Sequence, residues 1–190
     1  MMQSRSLSIK DFRLTNQHVA VRLFWIGTFA LLTAVGAQVE IPHAPVPFTL
    51  QTFFVMLAGG MLGRRDGSLS MILYLLLGAA GLPAFSSAGF GLMRLIGPTG
   101  GYLLSFPLAA LLIGILLGNA SSYWRILTAM GAGLCLIFLL GTAQLWLVTG
   151  MSFEEAFGSG FLIFSWWDLL KLAGAAAITE QALRRVSVDS

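Results

Sequence analysis

The chain has 190 residues, 57% of them hydrophobic and 10% charged, with a formal net charge of +3. A soluble domain carries about 25% charged residues, so a surface this poor in charge excludes a water-soluble globule and points to a helical protein embedded in lipid. The small positive excess is too dispersed for a nucleic-acid-binding face, which needs clustered Lys and Arg.

Taken in chain order, residues 1–20 hold Arg5, Lys10, Asp11 and Arg13 with no apolar h-region. That pattern predicts a retained cytoplasmic N-terminal segment rather than a cleaved signal. About 20 apolar residues cross the roughly 30 Å of hydrocarbon in a bilayer, and six such spans are predicted: 22–39, 48–63, 67–83, 99–118, 125–149 and 158–182. They form one all-α, six-helix membrane domain over 21–185, followed by a short C-terminal tail, 186–190.

Breaker residues shape the connections. Pro42, Pro45 and Pro47 prevent an ordinary helix entry before the second span, because each lacks an N–H and restricts the residue before it. A structured loop is expected there. The stretch "GLPAFSSAGFGLMRLIGPTGG", 81–101, is too rich in Gly and Pro for a continuous helix and is expected to fold back onto the protein. In "GPTGG", Pro98 sets φ while Gly100 and Gly101 allow close backbone approach, either to a ligand or to a neighbouring helix. Cys135, the one cysteine, lies in an apolar stretch and reads as a packed side chain.

The basic residues fix an orientation, because Lys and Arg near spans favour the cytoplasmic side. Nine of the eleven fall on one side: Arg5, Lys10, Arg13, Arg22, Arg64, Arg65, Arg125, Arg184 and Arg185. The other side holds Arg94 with Glu40, His43, Glu154 and Glu155. Both termini are therefore expected inside, with the Pro-rich and Gly-rich loops outside.

The last span, "FSWWDLLKLAG", retains Asp168 and Lys171. Counted back from Arg184 at 1.5 Å per residue, they lie about 24 and 20 Å above the inner boundary, in the outer half of the membrane. Each such charge costs roughly 2.5 to 3.5 kcal/mol at a helix centre, so something must compensate them. Their i, i+3 spacing permits an internal ion pair that only fixes packing. It also permits a site opening outward, in which the carboxylate accepts from N–H donors and the ammonium meets an anion. Arg94 is a second candidate for a carboxylate, with a bidentate guanidinium, or else a solvated loop cation. Trp166 and Trp167 are expected either to wall the pocket or to sit in an interfacial belt.

"PVPFTLQTF" (45–53), "GPTGGYLLSFPLAA" (97–110) and the "DLLK" of the last span occur in this order. Together they resemble the BioY family, the biotin-binding S components of energy-coupling factor (ECF) transporters, over about residues 25–182. The resemblance implies a six-helix vitamin-binding subunit of the prokaryotic cytoplasmic membrane, with a pocket open to the outside and covered by the first and third external loops. Asp168 and Lys171 would correspond to the polar binding residues, and Arg94 to the carboxylate partner. Biotin fits the two-sided demand of the last span, having two ureido N–H donors and a carboxylate. Where some relatives carry an Asn in the Gly-rich loop for the ureido group, this chain has Ser86, Ser87 and Ala88, so a serine or a water takes that place. Phe48, Gln51 and Tyr102 join the candidate substrate-binding residues. "ALLTA", with Ala30 and Ala34 at small-xxx-small spacing, resembles the Ala-rich face that docks the transmembrane coupling protein, or else packs internally. The family also implies two ATPase partners and a subunit that topples in the bilayer to release its cargo inward.

The chain has no G-x-x-x-x-G-K-[ST] loop of its own for ATP. His18 and His43 lack companions at metal-ligand spacing, and no nucleophile has a base beside it. These patterns predict a non-enzyme with no metal and no cofactor, biotin being cargo. The alternatives from sequence are an S component for another vitamin, a solitary facilitator or a secondary transporter with Asp168 as a proton relay.

Overall fold

A computed structural model describes residues 19–119, 122–162 and 166–188, the last four by backbone alone. Arg5, Lys10, Asp11, Arg13 and His18 lie outside the described residues, as do the side chain of Arg185 and the chain end at 189–190. The regular structure of the described residues is helical except for one very short ribbon. Helix α1 covers Val19–Gln38, strand β1 Glu40–Ile41, strand β2 Phe48–Thr49 and helix α2 Gln51–Leu57. A π-helical turn, Ala58–Leu62, joins α2 to α3, Gly63–Ala79. After the Gly-rich loop, which contains the short helix α4 at Leu92–Ile96, come α5 (Gly100–Leu117), α6 (Tyr123–Thr149), α7 (Phe153–Gly160) and α8 (Trp166–Val188).

Three of these helices, α1, α5 and α6, are long and apolar enough to cross a membrane. The others have visible reasons for falling short. α2 and its π-turn are followed at once by a reversal at Gly63, whose φ of 78° suits glycine. That reversal lays α3 back along α2 so closely that a Cβ at Gly67 would meet the Ala58 carbonyl at 2.6 Å. α3 opens on Arg64, Arg65 and Asp66, and α8 carries Asp168, Lys171, Glu180 and Arg184.

The expected sixth span, 158–182, is corrected in register. Residues 153–160 form a separate helix, begun by a capping box in which Ser152 Oγ accepts from the Glu155 N–H and Glu155 returns the bond to the Ser152 N–H. Gly158 and Gly160 weaken its far end, and α8 starts afresh at Trp166 and runs on to Val188. The Pro-rich segment is structured, as expected of it. β1 and β2 pair antiparallel, Glu40 opposite Thr49 and Ile41 opposite Phe48, and the prolines occupy the connection.

Two features make the bundle rigid. At one end, the Arg22 guanidinium forks onto the Asp66 carboxylate, with Nε–Oδ2 at 2.9 Å and Nη2–Oδ1 at 2.7 Å, tying α1 to α3. Between α5 and α6 the backbones nearly touch. A Cβ at Gly101 would lie 2.5 Å from the Leu140 carbonyl, and one at Gly141 would lie 2.2 Å from the Tyr102 ring. Glycine is therefore required at the "GPTGG" entry by helix packing, the second of the two expected uses. Met130, Leu134 and Ile137 of α6 are fully buried with Ile113 and Leu117 of α5. Cys135 is exposed, contrary to the packed position expected for it. Its neighbour Leu134 takes the inward place on α6.

Candidate functional site

Lys171 and Asp168 project from the first turns of α8 into the space beneath the β1–β2 ribbon. They are 6% and 1% exposed and form an ion pair, Nζ to Oδ1 at 2.6 Å. The ammonium also donates to the Thr49 carbonyl at 2.9 Å and to Thr52 Oγ1 at 2.8 Å. An ammonium has three N–H donors, and here each has an acceptor. The pair is thus an internal ion pair and part of a larger polar construction, because the same two residues line a cavity of about 540 Å³. Neither alternative drawn from their spacing excludes the other.

The cavity joins three parts of the chain: the Pro-rich segment, the Gly-rich loop with the start of α5, and the stretch of α6 around Ile137 and Phe138 together with the start of α8. Apolar side chains, among them Phe106, Ile137 and Phe138, make most of one wall, as expected of a small-molecule site. Of the expected binding residues, Phe48, Gln51, Ser86, Ser87, Arg94 and Tyr102 line this cavity with Asp168 and Lys171. Trp167 is half-buried and is not among the lining residues. Trp166 is 70% exposed, with its ring edge-on to that of Trp167.

Several of the lining residues have their polar atoms engaged within the protein. Gln51 donates to the Tyr74 hydroxyl and accepts from Thr49 Oγ1 at 2.8 Å, and it is buried. Tyr102 donates to the Gly160 carbonyl at 2.9 Å, which fixes α7 against α5 and leaves the ring to face the cavity. Ser86 and Ser87 both donate to Glu40, at 2.5 and 2.6 Å. Those bonds, Ser86 first, hold the Glu40 carboxyl below the usual carboxylate range, and the positive charge of Arg94 pushes the same way, against burial.

Of the two roles open to Ala30 and Ala34, packing within the bundle is the one visible in this chain. Ala30 is fully buried in the core and Ala34 is half-buried against it, so the ridge they form packs inside the bundle. The open face of α1 carries Leu23, Phe24, Leu31 and Val35 instead.

Glu40, Thr49 and Thr52 belong to the site without having been marked as candidates in the sequence. Thr49 and Thr52 lie within "PVPFTLQTF", and their three-residue spacing across a helix start was the available signal. Glu40 offered only its position beside the Pro-rich segment. His43 also lines the cavity, packed edge-on to Phe48 at 5.2 Å. Among the described residues no group of three or more His, Cys, Asp or Glu side chains is arranged to hold a metal.

A lipid-embedded helical bundle that keeps a carboxylate, an ammonium and a guanidinium around one apolar-walled cavity defines a membrane solute-binding protein. The chain belongs to the BioY family, whose model matches residues 4–188. It is 42% identical over 168 residues to "Biotin transporter BioY" of Thermotoga maritima, covering 88% of this chain and 98% of that one. It is also 42% identical over 156 residues to "Probable biotin transporter BioY" of Pyrococcus horikoshii, covering 82% and 92%. Among solved structures it resembles the S-component for biotin from an ECF-type ABC transporter. The TM-score there is 0.82 at 26% identity, over 90% of this chain and 94% of the other.

Proposed function

We propose that this chain is the biotin-binding S component of an ECF-type importer, a transport subunit rather than an enzyme, which captures biotin at the outer face of a prokaryotic cytoplasmic membrane. The observation that carries this reading is the cavity itself, where Asp168 and Lys171 of α8 and Arg94 of the Gly-rich loop face the same space. In this reading Asp168 accepts from the ureido N–H groups. Arg94, whose fork matches a carboxylate, holds the valerate end, and the bicyclic ring lies against Phe106, Ile137 and Phe138. Lys171, with its three donors engaged by Asp168, Thr49 and Thr52, orients Asp168 and adds positive potential, while Arg94 makes the direct contact with the anion. No cofactor takes part; biotin is the cargo.

The reading includes six membrane crossings with both termini inside. Two contacts support it: Arg22 with Asp66, which sets the starts of α1 and α3 at one end of the bundle, and Lys171 with Thr49, which sets the starts of α2 and α8 at the other. A coupling protein and two ABC ATPases supply the energy, since the sequence has no phosphate loop of its own.

Titration calorimetry of the purified protein with biotin tests the core of the proposal. Saturable one-to-one binding is expected, together with cellular uptake that requires a coexpressed coupling module and ATP and is indifferent to the proton gradient. An absence of binding heat, with no small molecule retained in native mass spectrometry, would overturn it.

A further inference from the structure

The part of the cavity rim made by the Gly-rich loop is gripped from one short stretch of chain at the end of α1. Gln38 reaches across with its amide. Its Nε2 donates to the Phe85 carbonyl at 3.0 Å and the Pro83 carbonyl at 3.4 Å, and its Oε1 accepts from the Ala88 N–H at 3.0 Å. Two residues further on, in β1, each oxygen of Glu40 accepts one serine hydroxyl, Ser86 at Oε2 and Ser87 at Oε1.

The backbone beneath this grip has a conformation that needs outside support. Ser87 and Ala88 have φ of 55° and 52°, a region side-chain-bearing residues rarely adopt, and such residues persist only where their surroundings hold them. The turn is closed by reciprocal backbone bonds between Phe85 and Gly89. Its inner side is anchored by Phe85, buried edge-on to Tyr74, while the serines on its outer side have Glu40 as their hydrogen-bond partner. Arg94 lies against the same turn, since a Cβ at Gly89 would fall 2.7 Å from its Nε. Glu40, both serines and Arg94 all line the cavity.

We infer that Glu40 is a positioning residue: its carboxylate, held by Ser86 and Ser87, clasps the 85–89 turn at the rim of the cavity and sets how fast a ligand enters and leaves. The clasp acts on the loop and, through it, on where Arg94 rests. A carboxylate accepting two hydroxyls makes charge-assisted bonds, the stronger kind, at a place where the backbone would otherwise relax. Because Glu40 pairs with Thr49 across the ribbon, and Thr49 receives Lys171, the clasp and the buried ion pair share one support.

The inference rests on the biotin reading, and biotin is the probe. Rates of biotin association and dissociation are measured for the purified parent, Glu40→Ala, Ser86→Ala/Ser87→Ala and the triple variant. Glu40→Ala is expected to raise both rates, dissociation by about tenfold, the lower end of the scale of one hydrogen bond to a charged group, with a smaller change in affinity. The serine pair should reproduce the effect, and the triple variant should add nothing to it. Parent-like rates in Glu40→Ala, or additive effects in the triple variant, would overturn the clasp. Should Glu40→Ala not fold, Glu40→Gln carries the same comparison with one acceptor kept, and parent-like rates there count against the proposal equally. Amide hydrogen exchange at Ala88 and Gly89 in the ligand-free protein separates this idea from the functional reading. Exchange should speed up in Glu40→Ala, and unchanged exchange overturns the clasp. A parent protein that fails to bind biotin overturns the biotin reading alone.

Discussion

Replacing Lys171 by Met separates what the buried pair does for folding from what it does for the ligand. The substitution keeps an unbranched apolar stem and removes the ammonium, leaving the Asp168 carboxylate 1% exposed and without the cation 2.6 Å away. Breaking a buried pair from one side costs about 3 to 5 kcal/mol, whereas replacing both partners with neutral groups is often close to neutral. Lys171→Met alone should therefore lower thermal stability in detergent sharply. Adding Asp168→Asn should restore most of it, because the buried negative charge is gone. Biotin binding should behave differently. Asp168→Asn alone removes a charged acceptor worth about 1.5 to 3 kcal/mol, roughly 10- to 150-fold in affinity, and the double variant should keep that loss while regaining stability. Thermal unfolding and titration calorimetry on the four proteins of this cycle give both readouts. If the double variant recovers affinity together with stability, the pair serves packing only, and the assignment of Asp168 to the ligand is refuted.

Arg94→Ala should weaken biotin by about 1.5 to 3 kcal/mol while leaving the affinity for biotin amide nearly unchanged, so equal losses in calorimetry would remove Arg94 from the carboxylate. Gly101→Ala forces a Cβ to within 2.5 Å of the Leu140 carbonyl and should cost about 1 to 3 kcal/mol by overpacking. Gly27→Ala, with nothing within 4 Å of the new Cβ, should be neutral in the same thermal melts, and equal effects at both positions would refute the close seam between α5 and α6. Ala30→Leu should destabilise the fold itself by a similar overpacking cost, because that position is fully buried; unaltered thermal melting would return Ala30 to the surface. Asp66→Asn breaks the two-pronged contact with the partly exposed Arg22 and should lower the melting temperature without changing biotin affinity, so a binding defect without a stability defect would contradict its placement far from the site.

Residue chemistry made the helices and most of the site legible before any coordinates. Long apolar runs with few charges admit few readings, and α1, α5 and α6 lie close to the predicted spans. Asp168 and Lys171 stood out because charge is costly in hydrocarbon, and that cost is why both end in the cavity wall. The register of the last span was illegible for a local reason: a capping box and two glycines cut out α7, and apolar composition reads straight across such a break. Ala30 stayed ambiguous in the sequence because small residues serve close packing equally well inside a bundle and between proteins. Glu40 and Thr49 were hidden because their partners are distant in sequence. A two-residue ribbon has no periodicity to read, and the bonds from Ser86 to Glu40 and from Lys171 to Thr49 span 46 and 122 positions.

The glycine seam between α5 and α6 has a mechanical corollary. Where one backbone carbonyl sits against another helix's Cα, sliding or tilting either helix forces a collision within a fraction of an ångström, and protein interiors yield little to such strain. Tyr102, wedged over Gly141 and bonded to Gly160, adds α7 to the same block. This half of the molecule behaves as a keel. Parting α5 from α6 would break this seam, so any movement that opens the cavity has its least resistance in the loops that cover it.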